Sequence, residues 1–129
     1  MANQFVVELN NVPGGLATLA ESLAERGIDL RAIGGGGIGD SGHIIMTTAD
    51  DDGARAVLEA GGYTFIEGES ILTEVDDRPG GMARLSRALA DAGVNIYGHL
   101  FLGRWGDRAM FAFVVDDPDK ARPILERKG

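Results

Sequence analysis

Two short segments of this chain carry backbone chemistry suited to a small anion. Asn11-Val12-Pro13-Gly14-Gly15-Leu16 is matched, 66 positions later, by Asp77-Arg78-Pro79-Gly80-Gly81-Met82. Each sets a Pro-Gly-Gly turn ahead of a helix start. N–H groups in the first helical turn have no intrahelical partner and lie at the positive end of the helix dipole. Glycine lets a ligand come close to that backbone. A single Pro-Gly-Gly is accounted for by a tight turn alone, but here it is repeated. Of the 17 positions from Pro13 to Asp29, 8 are identical to their partners, which marks an internal duplication. The match runs without a gap through Leu19/Leu85, Leu23/Leu89 and Gly27/Gly93 to Asp50-Asp51/Asp116-Asp117.

The elements that must position these loops are legible from periodicity. Residues 5–9 are apolar and β-branched and predict a strand. Pro13 fits the first helical position, where a missing N–H costs nothing. Leu16, Leu19, Ala20 and Leu23 recur on one helical face, and Gly27 ends the helix as a left-handed cap. Strands are expected from Ile28 towards Gly36 and over 43–49, joined by the turn residues Gly39-Asp40-Ser41-Gly42. Asp50-Asp51-Asp52 caps a helix through about Ala60, and residues 63–66 form a fourth strand. The second half predicts strands over 70–75, 94–102 and 109–115, a helix from Pro79 to Gly93, and a last helix opened by Pro118.

The order is βαββαβ followed by βαββα. It predicts an α+β protein of two ferredoxin-like units, residues 1–67 and 68–129, each an antiparallel sheet with its helices on one face. The second unit lacks its own last strand. Strand 63–66 could complete the second sheet by folding back across the short connection Glu67-Gly68-Glu69. It could equally stay in the first sheet, or the chain could be cut short at the second repeat.

The chain has 129 residues, 44% of them hydrophobic, and a formal net charge of −8. That acidity disfavours nucleic acid and anionic membranes as partners. There is no cysteine, hence no disulfide or thiolate. No run approaches the ~20 apolar residues of a membrane span, and the N-terminus lacks signal-peptide character. A cytoplasmic protein is expected.

The pattern of strand, acidic or amide residue, x-Pro-Gly-x-Leu, helix, glycine and a short β-run opening on Asn resembles the ACT domain, in two tandem copies covering essentially the whole chain. ACT domains are βαββαβ regulatory modules that commonly bind amino acids. The resemblance implies units paired side by side, with ligand where the first loop of one meets the second strand of its neighbour. Carried over, the ligand-binding positions are Asn11, Val12, Pro13, Gly14, Gly15 and Leu16 with Asp29 and Leu30, and Asp77, Arg78, Pro79, Gly80, Gly81 and Met82 with Asn95 and Ile96. The family's strand-opening asparagine is Asn95 in the second copy, whereas Asp29 stands there in the first. The first loop in turn has Asn11 where the family usually has Asp.

In such a pocket the N–H groups of Gly80, Gly81 and Met82 suit a carboxylate, Asp77 suits an ammonium, and Asn95 can bridge the two. Arg31 and Ile33 against Tyr97 and His99 would make the two pockets differ. The expected protein is therefore an amino-acid-binding regulator without catalytic residues, cofactor or metal, acting as a homodimer or on a separate effector protein. A ligand-independent assembly module on the same fold is the alternative.

Other constellations carry less. Gly34-Gly35-Gly36-Gly37-Ile38-Gly39 contains G-x-G-x-x-G, but turn and strand residues follow it rather than a helix, so the dinucleotide context fails. Glycines inside a strand often mark close approach by a ligand or another backbone. His43 and His99 have no metal-ligand spacing, and the aspartate runs read as helix caps rather than calcium loops. Trp105, between Arg104 and Arg108 near a hairpin tip, is a candidate partner contact. No nucleophile has an adjacent base.

Overall fold

The computed structural model describes residues 2–126. Met1 and the last three residues of the second predicted unit, 127–129, lie outside them. The chain divides into two compact units, residues 1–68 and 69–129. The first contains β1 (Asn3–Asn10), α1 (Gly15–Glu25), β2 (Leu30–Ile38), β3 (Ser41–Thr48), α2 (Asp51–Ala60) and all of β4 (Phe65–Glu69) but its last residue, Glu69, which falls in the second unit. The second contains β5 (Ile71–Asp76), α3 (Gly81–Asp91), β6 (Ile96–Trp105), β7 (Arg108–Val115) and α4 (Pro118–Leu125). The sheets are ordered β2-β3-β1-β4 and β5-β7-β6. The first is the ferredoxin-like order, and the second is the same order without its fourth strand among the described residues.

Alternation along the strands builds each core. In the first unit Phe5 and Val7 of β1 stand opposite Met46 and Ile44 of β3, and Leu19, Leu23, Val57 and Leu58 from the two helices bury against them. In the second, Ile71 pairs with Phe113, and Leu89, Ala121 and Leu125 complete the layer. Each such side chain larger than alanine contributes about 1.5–3 kcal/mol of transfer free energy. Thr73, buried on β5, donates its hydroxyl to the carbonyl of Leu125 and so ties the end of α4 to the sheet.

Three helices end alike. Gly27, Gly62 and Gly93 have φ of 68°, 71° and 76°. Ile28, Tyr63 and Val94 each return their N–H to the carbonyl five residues back, at 3.0, 3.0 and 2.9 Å. This is the Schellman arrangement, which needs a left-handed residue. The aspartates cap as expected, with Asp50 accepting from the N–H of Gly53 at 3.0 Å and Asp117 from that of Lys120 at 3.2 Å.

Those two caps lie 67 positions apart, not 66, so the repeats do not align without a gap. The turns agree: Gly39-Asp40 corresponds to Gly106-Asp107, and both glycines have φ of 59°. The extra residue is absorbed in β6. Its register against β7 slips between Phe101 and Gly103, whereas both β2 and β6 share a slip near their starts. A β-bulge is the local means of accommodating one additional residue in a strand.

The fourth strand stays in the first sheet. Phe65 packs on Phe5, with ring centroids 6.1 Å apart, and the N–H of Glu8 bonds to the carbonyl of Thr64 at 2.9 Å. Glu67, Gly68 and Glu69 belong to β4 rather than to a connection, leaving only Ser70 before β5. One residue is too few for a hairpin. A side-chain network holds β4 in place: Arg55 of α2 grips Glu67 with two bonds of 2.6 and 2.7 Å, Asn3 adds a third of 2.7 Å, and Arg55 also reaches Asp52 at 2.9 Å. In the second unit Arg122, at the position of Arg55, binds Asp119 and Glu69. Glu69 falls at the position of Asn3, so one glutamate does there what Asn3 and Glu67 do together.

The Arg55 guanidinium holds the Glu67 carboxyl below its ordinary range, against partial burial and with help from Asn3. A carboxyl whose folded value is depressed stabilises the fold above its unfolded value, roughly 4.3, and loses that increment as pH falls through the folded value. Glu67→Gln should cost about 1–2 kcal/mol at pH 7, a charge-assisted pair discounted for the partly exposed arginine. The difference from the parent chain should shrink on acidification below about pH 4, as read by urea unfolding at both pH values.

Candidate functional site

Each Pro-Gly-Gly forms a type II turn. The N–H of Gly15 donates to the carbonyl of Val12 at 3.2 Å, and that of Gly81 to Arg78 at 3.1 Å. Gly14 (φ 89°, ψ −6°) and Gly80 (φ 92°, ψ −12°) hold the third turn position, where a positive φ is required. Pro13 and Pro79 occupy the second position, which their fixed φ suits, so Pro13 precedes the helix instead of opening it. The second glycine has a different cause. A Cβ on Gly15 would lie 3.1 Å from the carbonyl oxygen of Asn10, and one on Gly81 would collide with that of Asp76.

This geometry changes the supply of donors. The N–H of Gly81 is engaged within the turn and is not free for a ligand. The first intrahelical bonds run from Thr18 to Gly14 and from Arg84 to Gly80, both 2.9 Å. The N–H groups of Leu16, Ala17, Met82 and Ala83 therefore occupy first-turn positions that helix geometry leaves without a carbonyl. No side chain caps α1 or α3, and neither has an acid in its first turn, unlike α2 and α4.

Around the first loop lies a cavity of about 390 Å³. It opens between the start of α1 and the edge strand β2. Its walls include Leu9, Val12, Leu16, Ile33 and Ile44, and the backbone of Gly34, Gly35 and Gly36. Gly35 must be glycine, since a Cβ would strike the carbonyl of His43, whereas Gly36 has open space. Val12, Leu16 and Ile33 are 60, 50 and 45% exposed, leaving an apolar rim. Asn11 closes one end: its N–H bonds to the carbonyl of Asp40 at 3.0 Å and its Nδ2 to that of Gly39 at 2.8 Å.

The second loop has the same backbone in other surroundings. Asp77 again donates its N–H to the hairpin turn, at Asp107 (2.8 Å), but its carboxylate accepts from Arg104 Nε at 2.7 Å. Arg104 lies 4.7 Å over the ring of Phe101, which packs edge-on against Phe111 at 5.5 Å. Phe101 stands where the first unit has Gly35, and Arg104 where it has Gly37. Asp76, at the position of Asn10, is paired with Arg78, Arg84 and Arg108. Arg84 also covers Gly80: a Cβ there would lie 2.8 Å from its guanidinium.

Within a unit, Asp29, Leu30, Asn95 and Ile96 are far from these loops. Leu30 pairs with Thr48, seven residues of strand from the Gly37–Gly42 pair beside Asn11, or about 23 Å at ~3.3 Å per residue. Asp29 makes a surface ion pair with Arg31 at 3.3 Å. Asn95 and Asp116 bond to one another, N–H to carboxylate at 2.9 Å and carbonyl to N–H at 3.0 Å. Leu9 and Ile44 belong to no motif, and the glycine run is the sequence signal that points to this wall. Among the described residues no group of three or more His, Asp or Glu could hold a metal ion. No helix of theirs is long and apolar enough to cross a membrane.

Among solved structures, the chain superposes on protein BT0572 from Bacteroides thetaiotaomicron with a TM-score of 0.72 and 23% identity, covering 97% of this chain and 86% of that one. What is shared is the fold, two tandem ferredoxin-like units. The regulatory subunit of aspartate kinase from Thermus flavus matches this chain at a TM-score of 0.65 and 23% identity, over 97 and 88% of the two chains. The ligand-free Thermus thermophilus subunit matches at 0.63 and 22%, over 97 and 89%. No family model matches the sequence, and no curated protein matches it significantly.

The two Pro-Gly-Gly loops should be intolerant at their first glycine. Gly14→Ala and Gly80→Ala should each cost about 1–2 kcal/mol, the penalty for a left-handed L-residue, while Gly36→Ala should stay within about 0.5 kcal/mol. Urea midpoints of the three variants check this.

Proposed function

We propose that this chain is a small-molecule-binding regulatory protein whose ligand, an amino acid, is held at the Pro-Gly-Gly loops. The cavity beside the first loop carries the reading. Its volume falls within the ~300–1,000 Å³ usual for ligand pockets, and it combines apolar walls with main-chain donors that no side chain caps. The carboxylate would meet the N–H groups of Leu16 and Ala17, and Asn11, whose Nδ2 is committed to Gly39, would offer its Oδ1 to the ammonium. The fold likeness to the regulatory subunits of aspartate kinase adds support.

Regulation then means that the ligand binds one arrangement of the protein better than another and shifts the balance by that difference. The chemistry is non-covalent and asks for no catalytic group. An affinity in the micromolar to millimolar range, about −8 to −4 kcal/mol, is what so small a ligand can reach.

A thermal-unfolding screen of the twenty amino acids at millimolar concentration tests the reading. A ligand at ~100 times its Kd stabilises by about 2.7 kcal/mol, several degrees for a protein of this size. One or two selective shifts are expected, and Leu16→Glu should abolish them, since it adds a carboxylate at the proposed carboxylate site while leaving a favourable helix start. A flat screen on folded protein would sink the proposal and leave the assembly reading.

A further inference from the structure

The two units share a backbone but not this cavity: the space beside the second loop, about 330 Å³, lies against Asp76, Gly81 and α3 and is lined in part by Glu74, Asp76, Arg84 and Arg108. Resting on the reading above, we infer that the chain takes up one ligand, in the first unit only, and that this ligand has an aliphatic side chain.

The first part of the inference follows from what stands at equivalent positions. In the first unit the wall along β2 is bare backbone at Gly34, Gly35 and Gly36. In the second, Leu100 and Phe101 take the places of Gly34 and Gly35. Phe101 is fixed from two sides, by Phe111 beneath it and by Arg104 over its face. Arg104 is fixed in turn by Asp77, the residue that would have received the ligand's ammonium. The bulge at Leu102 aids this closure, because the extra residue brings Arg104 to the position of Gly37. One side-chain set thus fills the cavity and engages its polar end.

The second part follows from the lining. The first cavity is lined from β1, the loop, α1, β2 and β3 by Leu9, Val12, Leu16, Ile33 and Ile44, with Asn10, Asn11 and His43 as its polar side chains. Lys and Arg are absent from the lining, and so are Asp and Glu; a charged ligand side chain would be desolvated there without a partner. An aliphatic body gains by leaving water at the same surface.

Equilibrium dialysis and calorimetry on the full chain decide it. The probes are L-leucine, L-isoleucine and L-valine against L-aspartate, L-lysine and L-serine, with 4-methyl-2-oxopentanoate as the arm lacking an ammonium. The expected result is one equivalent per chain, with aliphatic amino acids at least tenfold tighter than the charged and hydroxylated ones. Ile33→Glu should remove binding, and His99→Glu, at the equivalent position of β6, should leave it. Ile33 is on an edge strand and half-exposed, and Leu16→Glu is the second variant should Ile33→Glu fail to fold. Two equivalents per chain, a preference for a charged amino acid, or loss with His99→Glu alone would overturn the inference while leaving the binding reading intact. Equal binding of the oxo acid would remove the ammonium from the recognition but not the aliphatic selectivity or the stoichiometry. No binding of any amino acid would overturn both.

Discussion

The positive φ of Gly14 and Gly80 is the constraint on which the rest of the molecule depends. A strand that ends on the sheet must deliver the chain into a helix lying across the same sheet within about four residues. A type II turn achieves this only with a left-handed residue at its third position. The next residue then presses against the strand's last carbonyl, which excludes a Cβ at Gly81 and leaves only a tight fit for one at Gly15. Pro-Gly-Gly is the joint solution to both demands. It fixes where α1 and α3 begin, and hence which of their faces meets the sheet. It also leaves the first helical turn uncapped by any side chain. The structural and functional explanations of the motif are therefore the same geometry at two levels.

Much of the fold is legible in the residues themselves. Gly27 and Gly93 announce left-handed helix ends, Asp50 and Asp117 announce caps, and the alternation of Phe5, Val7 and Leu9 announces a half-buried strand. These are local codes in which one or two residues determine a conformation. Pro13 is less legible because both the first helical position and the second turn position accept a φ near −65°. The choice is made by the glycine after it, which needs a positive φ and so cannot yet be helical. Glu67, Gly68 and Glu69 resemble a connection because charge and glycine are rare in strand interiors. They are strand because Arg55 and Asn3 hold Glu67 from elements far away in the sequence.

The inserted residue in β6 is hidden for a different reason. Duplicated segments reveal an insertion when identity resumes at a new offset, and two adjacent aspartates at 50–51 and 116–117 keep the old offset looking valid. Only the pairing of β6 with β7 and the positions of the caps separate 66 from 67. The cavity is half legible: a run of four glycines in a strand signals missing side chains, but whether they leave a void or a close contact depends on what packs above them. Here both occur, with Gly35 against the backbone of β3 and Gly36 facing open space.

The duplication also separates what the backbone encodes from what side chains encode. Turn, helix starts, Schellman ends and hairpin tips are held in common because each rests on glycine, proline or a capping aspartate, and none of these can be exchanged without strain. The surroundings of the two loops have diverged freely. Asn10 stands where the second unit has Asp76 with three arginine partners, and Gly35 and Gly37 stand where it has Phe101 and Arg104. Such a division is open to a repeat protein because filling a cavity strains nothing in the shared frame. An aromatic ring at the edge of a sheet gains dispersion and cation–π energy, whereas emptying the cavity forfeits it. The closed unit has a stability argument of its own. The open unit has none: a bare glycine wall beneath three half-exposed aliphatic side chains is costly to keep empty, and that cost is offset when an apolar body of the right size occupies it.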